Sequence, residues 1–159
     1  MPPRENQLDP AHAPTPFTAA QIREATPEGW SVETRTTRDG EVVERARTVF
    51  RDVDQDEVTM ERHRLDDAGV PAGEVQARRV RWLDLQRHAS FPIGITTVTP
   101  ERIVTAVGEG DCLRYDVRGD HGTSVFWFAL DHPGMPVRFE AGPAAGREVT
   151  EVVAYGASS

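Results

Sequence analysis

Lysine is missing from this chain: all 18 basic residues are arginine. That absence removes Schiff-base lysines, lysine general bases and the lysine of a phosphate-binding loop. Codon usage in a GC-rich genome would account for it. Cysteine is nearly missing too. The single Cys112 excludes an internal disulfide and any cysteine-based zinc cluster. No apolar run reaches the roughly 18 residues of a membrane span. Positive charge is in deficit, with a net charge of −8, which argues against a nucleic-acid partner. The start, Met1 to Asn6, leads into no apolar segment and reads as no signal peptide. A cytoplasmic location is expected, or a periplasmic one had a leader been removed.

What is present reads most clearly from Cys112 to Phe139. Leu113, Tyr115 and Val117 alternate with Arg114, Asp116 and Arg118, the period of a half-buried strand. Gly119-Asp120-His121-Gly122 then marks a hairpin. From Thr123 to Leu130 apolar residues occupy both faces: Val125, Trp127 and Ala129 on one, Phe126, Phe128 and Leu130 on the other. Such a strand is covered on both sides. Which of its faces lines a concave side, parity alone leaves open. Asp131 to Pro136 is turn material, and Val137, Phe139 and Ala141 alternate again.

The rest of the chain follows the same grammar. At 159 residues one domain is expected, burying roughly 70% of its unfolded surface. Residues 1–16 are proline-rich and read as a flexible arm, with a single β-rich domain over 17–159. Thr18 and Gln21 fit a capping box and Phe17 with Ile22 a hydrophobic staple, which predicts a helix over 19–25. A meander of four strands follows: 30–38, 41–53, 57–65 and 74–81. Asp39-Gly40 is its strongest hairpin signal. Trp82, Leu85 and Ala89 then stand at helical spacing, a two-turn helix between strands. A short extended piece at 95–98, a strand at 102–107, a turn at 108–110 and a last strand at 148–155 complete about nine strands. The 19–25 helix is the only element left to cover the second face of the 123–130 strand.

Candidate chemistry is sparse. Asp52, Asp54 and Asp56 resemble the opening of a calcium loop, but Glu57 stands where glycine is required and His63 where the bidentate glutamate belongs. No two of the five histidines stand at a metal-ligand spacing. Cys112 with His121 or His132 as base has no helix N-terminus to activate the thiol. An enzyme would need His88 or His121 beside a carboxylate. No catalytic residue, metal or cofactor is expected. The arginines from 45 to 81 offer two readings. On one shared face, Arg45, Arg47, Arg51, Arg62, Arg64, Arg79 and Arg81 would hold an acidic or amphipathic ligand. Otherwise they form cross-strand pairs with glutamates on a solvent face.

Gly108 to Tyr115, Phe126-Trp127-Phe128-Ala129 and Pro133 to Phe139 resemble bacterial LolA-like half-β-barrel proteins, including the DUF3108-like group. The resemblance covers about 35 residues of strand and turn pattern. It implies a single curved antiparallel sheet around an apolar concave face, with the 82–91 helix as plug. It also implies carriage of lipid or acyl chains, and it supplies no catalytic residues. The expectation is therefore a mostly-β half-barrel with one or two short helices, one on the concave face. It would act as a binding module for a hydrophobic or lipid-like small molecule. Trp82, Leu85, Phe91, Phe126, Trp127, Phe139 and Arg62 are the ligand-lining candidates. The alternative is a protein-interaction or structural domain whose concave side is filled core. Neither the ligand nor the oligomeric state is legible.

Overall fold

Nine antiparallel strands form one open sheet in the order β4-β3-β2-β1-β9-β8-β7-β6-β5. The structure is a computed structural model that describes residues 5–120 and 122–156. A helix α1 (Ala19–Ala25) precedes β1 (Ser31–Arg38), β2 (Glu41–Arg51), β3 (Glu57–Arg64) and β4 (Gln76–Arg81). After α2 (Trp82–Arg87) and a single 3-10 turn come β5 (Thr96–Thr105), β6 (Gly108–Gly119), β7 (Gly122–Ala129), β8 (Arg138–Ala141) and β9 (Glu148–Gly156). Two meanders are thus joined where β1 pairs with β9, and β4 and β5 are left as opposite edges. The chain must travel from one edge to the other between Arg81 and Thr96, and it does so across the inner face.

Local chemistry accounts for most elements. The Thr18–Gln21 capping box closes α1 as expected, with both reciprocal hydrogen bonds made. Asp39 and Gly40 both take positive φ, 52° and 82°, which a two-residue hairpin of matching twist needs. The region from 95 to 107 differs from its expected two pieces. Pro100 suggests an interruption, yet β5 runs straight through it, because an edge strand tolerates a missing donor. The following turn is Ala106-Val107 rather than 108–110, with Gly108 at φ 113° inside the closing pair. His121, in the β6–β7 turn, lies outside the described residues.

Residue pairing fixes the faces. Leu113 and Tyr115 stand beside Phe128 and Phe126, and Phe126 beside Phe139. In the other half Phe50 stands beside Met60 and Met60 beside Arg78. These are the inner-face residues. Both helices lie over them: α1 packs on α2, and Phe17 meets Phe128 edge-on at 6.3 Å. The expectation that α1 covers the opposite face is therefore corrected.

Residues 5–16, expected as a flexible arm, lie against the domain instead. Ala13 and Thr15 are buried. Backbone bonds run between Ala13 and Phe91 and between Ile93 and Ala11. Proline-rich sequence lacks helix or strand propensity, but its carbonyls still accept. The buried Gln86 of α2 is the bolt. Its Oε1 accepts from the Ala19 N–H at 2.9 Å, and its Nε2 donates to the Glu5 carbonyl and the Thr15 hydroxyl, each at 3.0 Å. Gln86→Leu keeps the volume and orphans these groups. It is expected to lower the unfolding free energy by about 1–3 kcal/mol in urea titration, with faster amide exchange over residues 5–16. A loss below about 0.5 kcal/mol, the scale of a neutral surface change, would contradict this role.

Candidate functional site

Between the helices and the inner face lies an apolar cavity of about 310 Å³. Phe17 and Ile22 enter it from the α1 side, and Leu85 and Ala89 from α2 and its end. Phe50, Met60, Phe126 and Phe128 form its floor, and Met135 of the 131–136 turn closes one side. A second space of about 180 Å³ adjoins it, sharing Phe50, Gly134 and Met135. Volumes of this order suit small-molecule pockets, which begin near about 300 Å³.

Aromatic contacts shape this floor. Phe126 stacks on Phe139 at 4.6 Å and lies 5.0 Å from Phe91. Tyr115 meets Phe128 edge-on at 5.3 Å, and its hydroxyl donates to the Pro14 carbonyl at 2.6 Å. Such pairs add about 0.5–1.5 kcal/mol each beyond burial. Trp82 does not plug the space. It stacks flat on Phe50 at 6.5 Å, and its indole N–H donates to the Asp54 carbonyl. Its position leaves the cavity beside it open.

The expected lining residues divide accordingly. Leu85 and Phe126 line the cavity. Phe91 and Phe139 stand behind Phe126, and Trp82 behind Phe50. Trp127 is on the wrong face. Its ring lies between the guanidiniums of Arg114 and Arg138, 5.2 and 5.4 Å away, its register neighbours on the flanking strands. Its indole N–H donates to Glu101 at 2.7 Å. Guanidiniums with apolar stems thus cover the outer face of β7, a task α1 does not perform.

The arginines fall on both faces rather than one. Arg45 and Arg47 pair with Glu33, Arg51 with Glu61, and Arg79 with Asp54 and Glu57, all outside. Arg62 and Arg64 are on the inner parity but share Glu44, so the proposed ligand contact Arg62 already has its carboxylate. A residue that sequence reasoning passed over takes that place. Arg78 lies at the cavity mouth, opposite Met60, with no hydrogen-bond or ion-pair partner among the described residues. The signal was its register, which cannot be read before the strands are paired.

The reactive groups are occupied. Asp54 accepts from the backbone of Asp56 and Glu57 and pairs with Arg79, contacts that hold its carboxyl below the ordinary range. Cys112 is buried, and burial pushes its thiol pKa up, away from thiolate chemistry. His12 Nδ1 lies 2.8 Å from the Ser90 hydroxyl, a serine–histidine contact the sequence did not announce. No carboxylate orients this imidazole among the described residues, and the contact ties residues 9–13 to the end of α2. His88 stands exposed at the cavity rim. No family model, curated protein or solved structure matches the chain.

Burial also raises both tyrosines of the chain, Tyr115 and Tyr155, to about 12. The unfolded chain ionises them near about 10. The native state then holds more protons above that pH, so stability is unaffected below about 10 and falls between about 10 and 12. Tyrosinate absorbance titration of the folded protein is expected to show no midpoint near 10. A midpoint there would place these rings in water.

Proposed function

We propose that the protein is a non-catalytic binding module for a hydrophobic or amphipathic small molecule, held between the two helices and the inner face of the sheet. The observation that carries this reading is the apolar cavity itself, which Trp82 leaves unfilled. Its walls are aromatic, aliphatic and thioether side chains, the lining of a site that selects by apolar area. The resemblance of residues 108–139 to LolA-like half-barrels points the same way. No helix among the described residues is long and apolar enough to cross a membrane.

A second reading rests on the β5 edge. Val98 and Val104 are exposed on an edge strand that pairs only with β6, Val104 at 71%, with Ile93 and Ile95 exposed just before it. An interaction domain would bury such an edge against another chain. Light scattering separates the two: a concentration-dependent dimer favours the edge, a monomer the cavity.

Native mass spectrometry of the purified chain is expected to show adducts of low-polarity molecules that organic extraction removes. Ala89→Trp fills the cavity from the end of α2, and is expected to cut binding of an apolar fluorescent naphthylamine at least tenfold while the protein stays folded by circular dichroism. A folded Ala89→Trp protein that binds the dye unchanged would overturn the assignment of the site.

A further inference from the structure

Among the described residues, the mouth of the cavity carries no negative charge. Of the described side chains lining it, Arg78 and His88 are the ionisable ones, and no described carboxylate joins them. This is unusual for a chain with 26 acidic residues against 18 basic ones. The arginines around Arg78 already have carboxylate partners. Arg79 holds Asp54 and Glu57, Arg81 and Arg87 share Asp84, and Arg62 and Arg64 share Glu44. Arg78 has no such partner among the described residues, and its neighbours across the strands are Met60 and then Phe50. Its stem therefore starts on an apolar floor, and its guanidinium ends where that floor meets water.

Resting on the cavity reading, we infer that the ligand is an amphipathic anion: an alkyl chain inside the cavity and a carboxylate or phosphate head on Arg78. A guanidinium binds either head through two parallel N–H···O bonds. An alkyl chain reaching past Met60 towards Phe126 and Leu85 loses its water without leaving a polar group unpaired. A neutral or cationic head would gain nothing from the guanidinium, and a cationic one would be repelled.

The test is dye displacement on the full chain with four ligands of equal chain length: decanoate, decyl phosphate, decanol and decyltrimethylammonium. The anions are expected to bind at least about tenfold tighter than the alcohol, the size of a charge-assisted hydrogen bond. Arg78→Gln is expected to erase that preference and leave decanol affinity as it was. Arg79→Gln, one residue along but on the outer face, is expected to keep the preference. Tight binding by both anions supports recognition of the shared charge. Tight binding by decanoate alone supports it too, and assigns the head as a carboxylate. Equal affinity for all four heads, or a preference that survives Arg78→Gln, overturns the inference while leaving an apolar site in place. Failure of all four to displace the dye overturns the cavity reading as well.

Discussion

A sheet of nine strands with β4 at one edge and β5 at the other obliges the chain to cross one face of that sheet. Everything else in the molecule is fitted to this crossing. The segment from Trp82 to Ile95 contains only a short helix and a 3-10 turn. So slight a bridge cannot cover the inner face by itself. Residues 5–25 complete the cover, α1 lying against α2 and the preceding segment against the crossing chain. Gln86 joins all three parts through its amide, and it sits where an unmet hydrogen bond would be costly. The cavity is the space that two short helices leave over a wide aromatic floor.

The two faces of the sheet solve burial in opposite ways. Inside, Phe50, Tyr115, Phe126 and Phe128 meet helix and loop residues and exclude water. Outside, arginine and glutamate side chains lie along the strands in cross-strand pairs. Exposed pairs of this kind add little stability singly, about 0–1 kcal/mol. Their stems do more, since those of Arg114 and Arg138 shield Trp127, which is nearly inaccessible. An arginine-only chain suits this task. A planar guanidinium lies over an indole and still pairs with a carboxylate, which an ammonium does less well.

Much of this architecture was legible in the chain. The capping box at Thr18, the Asp39-Gly40 hairpin and the doubly apolar β7 are local signals, and each forms as its residues dictate. What was not legible is long-range. In β7 both parities are apolar, so alternation cannot say that Phe126 and Phe128 face in and Trp127 faces out; only pairing with Tyr115 and Arg114 decides it. The same holds for the arginines. Arg62 and Arg78 read alike in sequence, yet register gives one a glutamate and the other an open cavity mouth. The proline-rich start misled for a related reason. Its order comes from partners on Phe91, Ile93 and Gln86, far along the chain.

The central claim, a ligand site on the inner face beside an inert outer face, is most directly tested by the indole N–H signals of the chain's three tryptophans in a labelled sample titrated with decanoate. Trp82, stacked on the cavity's Phe50, should shift saturably together with the amides of Leu85, Ala89 and Phe128, while Trp127, locked between Arg114 and Arg138, stays in place. A saturable shift at Trp127 with Trp82 and Leu85 unmoved would put the site on the other face and contradict the account.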